Sequence, residues 1–361
     1  MPQSRRAFLL SLSAPAAIAA TGKGNEGPGE RQRFLDPTTE FEVVRLTSPE
    51  FVSILPSNTG RAVSRNAEFL ICGSDRGQGM QAYRIETRSG KTRQLTEYDA
   101  LEPETMTLAG ADRSLYLVDA RRILQINLSS LRDRVVTEIE GESARKLSVS
   151  ADGLHLVFAE SHGSKTRLRF TPTAKPALKT VAEFEGELAE VGLRPKGPGL
   201  FYRRNGTLWL ASFDGRENRQ LKTAPGEVLE AQWSPGGESI LYLVAPGSGR
   251  LNEVHELTPE SESDKFLVKT SQFVRFTANG NASVFLGASG SKAQPTLLLL
   301  LRVARRELTL CEHKCSDARL TNPTFAANSQ RVFFQTDRHG KMVIYSMTVD
   351  RLVDPTGEAI A

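Results

Sequence analysis

A polar turn followed by an alternating apolar strand recurs along this chain of 361 residues and limits its fold more than any other feature. The pattern is clearest at Ser234-Pro235-Gly236-Gly237, ahead of residues 239–244, and looser copies have turn positions at Ser64, Ala109, Ser150, Arg194, Thr277 and Ala326. The successive spacings are 45, 41, 44, 40, 43 and 49 residues. Each turn leads into one strand, then a second with a Tyr, Trp or branched residue, then a third with a basic residue before Leu-Thr or a similar pair. Repeats of this length with several strands each are propeller blades, which bury both faces only by stacking in a ring. The seven turns predict an all-β, seven-bladed β-propeller.

The two ends of the chain predict how the ring closes. The seventh repeat supplies Phe333-Phe334 and Ile344-Tyr345 strands but runs out near Asp354 without an outer strand. Residues 42–47, Glu-Val-Val-Arg-Leu-Thr, resemble Thr92-Arg93-Gln94-Leu95-Thr96 at the end of the first full repeat. An N-terminal strand is therefore expected to complete the last blade and remove the exposed edges. Five consecutive leucines, residues 297–301, predict a strand buried on both faces, being too few to cross a membrane. Trp209 and Trp233 are expected to pack between blades. In the equivalent turns Ser74-Asp75-Arg76-Gly77 and Thr336-Asp337-Arg338-His339-Gly340 the aspartates are expected to bond their own backbone, with anion binding as the alternative.

Residues 1–20 place Arg5-Arg6 before an apolar run from Ala7 to Ala20, with Ala17-Ile18-Ala19 towards its end, the pattern of a twin-arginine signal peptide. This predicts a periplasmic or extracellular protein with no membrane segment in its mature form. Residues 21–33 are expected to be a disordered leader, and residues 34–361 a single propeller domain. The formal charge is +4, from 46 basic and 42 acidic residues, and the basic residues form no run or stripe, which argues against nucleic acid as a partner. Cys311 and Cys315 flank His313, but with no second ligand pair this spacing falls short of a zinc site and predicts a strand-end loop. Neither Gly-x-Ser-x-Gly, a phosphate-binding glycine loop nor His-Glu-x-x-His occurs.

Several segments carry a family resemblance. Asp36-Pro37-Thr38, Val44-Arg45-Leu46-Thr47, Phe69-Leu70-Ile71 with Ser74-Asp75-Arg76, and Arg93-Gln94-Leu95-Thr96 resemble the opening of oligogalacturonate lyases. Leu310-Cys311-Glu312-His313, Asn322-Pro323-Thr324-Phe325 and Val332-Phe333-Phe334 look like that family's closing blade. The likeness spans essentially the whole chain after the signal, although exported propellers of the TolB kind share the Ser-Asp-Arg turns. It implies a seven-bladed propeller that cleaves short pectin fragments by β-elimination. A base removes the proton at C5 of a galacturonate, a metal, usually manganese, holds the adjacent carboxylate, and the C4 oxygen leaves.

Carried over residue by residue, the resemblance puts Glu230 of Glu230-Ala231-Gln232-Trp233 where the family keeps a catalytic histidine. Thr207 stands where it keeps an arginine. Gln272, Asp317, Leu320 and Asn322 stand where it keeps its metal-binding cluster, with no histidine remaining. Losing imidazole donors disfavours a transition ion; the oxygens of Gln272, Asp317 and Asn322 suit calcium, or no metal. Two functions follow. One is an exported lyase with Glu230 as base. The other is a catalytically silent propeller binding an acidic oligosaccharide or other anionic small ligand in its central pocket through Arg76, Arg203, Arg275, His313, Arg338 and His339. Propeller-bearing serine peptidases are disfavoured because no room is left for a hydrolase domain, and quinoprotein propellers because there are only two tryptophans.

Overall fold

The computed structural model describes residues 22–247 and 249–356; the twin-arginine pattern lies outside them. The strands form seven antiparallel sheets, five with four strands and two with five. In the fifth blade, for example, Glu227–Trp233 lies innermost, followed outward by Ile240–Ala245, Glu253–Thr258 and Ser263–Lys269. From the second blade to the seventh the innermost strands pack against one another in order.

The polar turns share one hydrogen-bond pattern. At Ser64, Ser150 and Ser234 the backbone NH donates to the carbonyl five residues on, at 2.9, 2.9 and 2.8 Å. The same hydroxyls accept from the NH of that residue at 3.0, 3.0 and 3.1 Å. Gly237 closes the Ser234 turn at φ +79°, a conformation that a side chain disfavours. The sixth blade departs from expectation by two residues, because Asn279 rather than Thr277 makes these bonds, with its NH 2.9 Å from the Val284 carbonyl and its Oδ1 3.1 Å from the Val284 NH. An amide oxygen does here what a hydroxyl does elsewhere, and the spacings on either side become 45 and 47 residues.

Strand alternation then divides each blade between two neighbours. Leu297 and Leu299 pack toward the seventh blade, while Leu298 and Leu300 pack toward the fifth. Phe69 and Ile71 face the second blade, and Leu70 and Cys72 the seventh. Successive side chains of a strand point to opposite faces, so a continuous apolar run is what a sheet covered on both sides requires. The core is accordingly seven clusters, one in each seam between blades. Trp233 is buried in the seam between the fourth and fifth blades, its indole NH donating to the Gly192 carbonyl at 3.0 Å. Trp209 stacks on Tyr202 beside the seam with the third blade.

Glu42–Arg45 pairs with Val343–Thr348, so an N-terminal strand does complete the seventh blade, and Gln32–Leu35 adds a fifth strand outside it. The segment expected to be a disordered leader is ordered from Gly22 onward. Glu26–Gly27 pairs with Thr92–Gln94 of the first blade, so the chain start spans the first and seventh blades. Its anchor is polar, which is why apolar patterning did not mark it: the Glu30 carboxylate takes a two-point ion pair from Arg76 and the Ser48 NH at 2.6 Å. The turn aspartates also differ from expectation. Asp75 accepts the Val52 NH at 2.7 Å and Asp337 the Ser316 NH at 2.8 Å, so each ties its turn to the segment entering the inner strand of the same blade.

Candidate functional site

Glu230 lies on the innermost strand of the fifth blade, just after a bulge between Val228 and Glu230 in its pairing with Ile240–Ala245. A similar bulge between Phe273 and Arg275 interrupts the innermost strand of the sixth blade. Bulges re-aim side chains, and these two turn Glu230 and Arg275 toward each other. Arg275 Nε lies 3.0 Å from Glu230 Oε1. Asn58 Nδ2 donates to the same oxygen at 2.7 Å, and the Phe276 NH donates to Oε2 at 2.6 Å. Both carboxylate oxygens are therefore engaged, and Glu230 is only 2% exposed.

The repeat explains this arrangement. Glu190, Glu230, Arg275 and Asn322 each stand four residues before the turns at Arg194, Ser234, Asn279 and Ala326, the same position in four consecutive blades. Glu190 accepts the Ala231 NH at 2.9 Å, as Glu230 accepts that of Phe276. Arg275 Nη2 donates to Asn322 Oδ1 at 3.3 Å, and Asn322 Nδ2 donates to the Pro56 carbonyl. Arg203 completes the chain, bonding Glu190 Oε2 at 2.9 Å and the Val228 carbonyl at 3.1 Å. This polar belt staples the inner strands of adjacent blades.

Burial pushes the Glu230 carboxyl up, to about 7; Arg275 pulls it down, the Glu190 carboxylate pushes it up, and the Phe276 NH and Arg203 pull it down. Asn58 belongs to a loop of the first blade, yet it touches the fifth, which is not its neighbour in the ring. The loop therefore crosses the channel. Its Leu55 NH donates to Gln335 of the seventh blade at 2.7 Å, and its Ser57 NH to the Glu104 carbonyl of the second at 3.1 Å. Two depressions of about 260 and 270 Å³ remain beside this plug, both walled by Asn58 and Thr59.

Of the residues expected to bind substrate, Arg203 and Arg275 converge with Glu230 but serve the belt. Arg76 is 4% exposed at its side chain and spent on Glu30 and on Ser53 and Ser74 hydroxyls. His313 is buried; its Nδ1 accepts the Cys315 NH at 3.0 Å, so Nε2 donates to the Ser289 carbonyl at 3.1 Å. Desolvation lowers its pKa, which keeps it neutral. Arg338 donates to the Glu312 carbonyl at 3.1 Å, and His339 bonds the Tyr345 hydroxyl at 2.6 Å. Thr207 is bound locally, donating to the Arg204 carbonyl at 2.9 Å and accepting from the Trp209 indole at 3.1 Å.

The positions expected to hold a metal do not form a donor set. Asp317 caps the helical turn Ala318–Leu320 and pairs with Arg319. Asn322 is taken up by Arg275 and Pro56, Leu320 offers no donor, and Gln272 lies in a separate depression beside Arg250 and Asn252. Among the described residues no group of three His, Cys, Asp or Glu is placed to hold an ion. These side chains do not fit manganese, and calcium fares no better, because the Asp317 and Asn322 oxygens already accept from Arg319 and Arg275.

What the same face does present is a depression of about 580 Å³ carrying Lys292, Lys314 and Arg319 against one carboxylate, Asp317. Sequence reasoning missed Glu190, Asn58, Lys292, Lys314 and Arg319. Glu190 was findable, since it precedes its turn by the same four residues as Glu230; Asn58 and Lys292 lie in loops with no repeat signal.

No protein-family model matches the chain. Among solved structures, an oligogalacturonate lyase in complex with manganese superposes with a TM-score of 0.83 at 19% identity, covering 91% of this chain and 98% of that one. An oligogalacturonate lyase from Vibrio parahaemolyticus gives 0.82 at 19% identity, over 91% and 99%. Among curated proteins, an uncharacterized peptidase, YuxL, of Bacillus subtilis (strain 168) is 26% identical over 179 residues, 49% of this chain but only 23% of that protein, so the match spans under a quarter of the relative. The seven-bladed architecture is thus that of the solved lyases; identity this low shows shared fold and not shared chemistry.

Proposed function

Starting from that shared architecture, we propose that the chain is an exported propeller that binds an acidic oligosaccharide or similar small anion without eliminating it. One observation carries the reading: the carboxylate at the base position is 2% exposed, with both oxygens hydrogen-bonded or ion-paired to Arg275, Asn58 and the Phe276 NH, so a substrate's C5 has no open approach to it. The ligand would lie in the depression of Lys292, Lys314 and Arg319. Lys314 and Arg319 are paired only with surface carboxylates, and such exposed pairs exchange partners at little cost. The export route belongs to the same proposal and rests on Arg5-Arg6.

A second reading keeps Glu230 as base, because burial lifts its carboxyl to about 7, the range suited to proton abstraction at neutral pH. One experiment separates the two. The protein is mixed with trigalacturonate and manganese or calcium, following binding by calorimetry and unsaturated product by ultraviolet absorbance. We expect heat without absorbance, and binding weakened about tenfold in a Lys292→Gln, Arg319→Gln variant. Product formation that disappears in Glu230→Gln restores the lyase reading, and absence of any heat removes the binding one.

A further inference from the structure

The seam where the ring closes holds a depression of about 780 Å³, larger than those at the channel and separate from them. Arg31 from the chain start, Arg88 from a hairpin of the first blade and Arg331 from the seventh blade all line it. None of these three side chains makes an ion pair or side-chain hydrogen bond among the described residues, and Arg31 Nε is buried with no partner at all. The carboxylates at the rim, Glu68, Glu86 and Asp350, pair with none of them. Glu86 instead accepts from the Ser89 hydroxyl at 2.7 Å.

The backbone is built to bring Arg31 there. A Cβ on Gly29 would lie 2.4 Å from the Ser89 carbonyl oxygen, and one on Gly90, at φ +75°, 2.8 Å from Arg31 Cβ. Only glycine lets the chain start and the Arg88 hairpin approach this closely. Arg331 is half-buried, and desolvation lowers its pKa, with the charges of Arg31 and Arg88 adding to the effect. Gathering like charges in a partly dry pocket costs folding free energy, which an anion can offset. Guanidinium forks match the paired oxygens of phosphate, sulfate and carboxylate, and the volume suits a small molecule.

We propose that this seam binds a multivalent oxyanion, a small molecule bearing two or more phosphate, sulfate or carboxylate groups, and clasps the ends of the ring around it. The site is independent of the one proposed above. The test titrates the full chain with pyrophosphate and, separately, with trigalacturonate, reading calorimetry and Tm. Expected is binding of at least one probe with a raised Tm, weakened at least tenfold in Arg88→Gln and Arg331→Gln but not in Arg216→Gln, an exposed control. A stronger pyrophosphate response identifies a phosphorylated ligand, and a stronger trigalacturonate response a uronate chain. Arg88 is exposed on its hairpin, so Arg88→Gln should fold with Tm unchanged or raised when no anion is present; an arginine with only a scaffold role would lower it. The proposal is overturned if neither probe binds, if both variants bind as the unsubstituted chain does, or if trigalacturonate binding is lost only with Lys292→Gln, Arg319→Gln and pyrophosphate gives none.

Discussion

At the scale of single residues, Glu230 is held by its neighbours more than it is offered to a ligand, and that has a measurable signature. Its carboxyl is raised from 4.5 to about 7 in the folded chain, burial being the main cause. As pH rises from about 4.5 to about 7, the unfolded chain loses this proton while the folded chain keeps it, so stability falls across that window and levels off above it. Glu230→Gln imitates the protonated form and removes this fall. Urea unfolding should show the variant gaining on the unsubstituted protein by on the order of 3 kcal/mol between about pH 4 and about pH 8. A gap that does not change with pH would place the folded pKa near its ordinary value. The role of Glu230 was half legible. Its place four residues before a turn is in the sequence, but the partners are not, because Asn58 arrives through a loop that crosses the channel from a blade that is not adjacent to the fifth in the ring.

At the scale of elements, turns and strands were readable because a hydroxyl or amide bonding across a five-residue turn, and apolar residues alternating toward two seams, both leave periodic marks. The Asn279 turn slipped by two residues because a different side chain makes the same bond. The N-terminal segment escaped for another reason: Gly29, Glu30 and Arg31 hold their place by backbone approach and charge, neither of which registers as an apolar pattern. Arg76 and Glu30 form a nearly buried pair, and removing one partner strands the other. Glu30→Gln should therefore cost about 3 kcal/mol in urea unfolding. Hydrogen exchange should speed up first at residues 26–35; if protection there is unchanged, the pair does not anchor the segment.

At the scale of the whole molecule, the ring depends on its first strands. Deleting residues 22–47 removes Glu42–Arg45 from beside Val343–Thr348 and exposes that strand as an edge, a template for pairing with another chain. The deletion should give aggregates or higher oligomers by light scattering and a broadened urea transition; a monomer with a single sharp transition would show that the last blade closes without help. The location of the core in seven seams, instead of around the axis, has a further consequence. Apolar burial, the dominant stabilising term, is generated between blades, where channel-wall side chains contribute little of it. Residues facing the axis, other than the polar belt of Glu190, Glu230, Arg275 and Asn322, are thereby released from the task of keeping the chain folded. A ring built this way can exchange inward-facing groups while its outline stays superimposable on solved structures only 19% identical to it. Mutational scanning would read this directly, as a sharp contrast between intolerant seam positions and permissive channel positions along the same inner strands, the polar belt of Glu190, Glu230, Arg275 and Asn322 excepted.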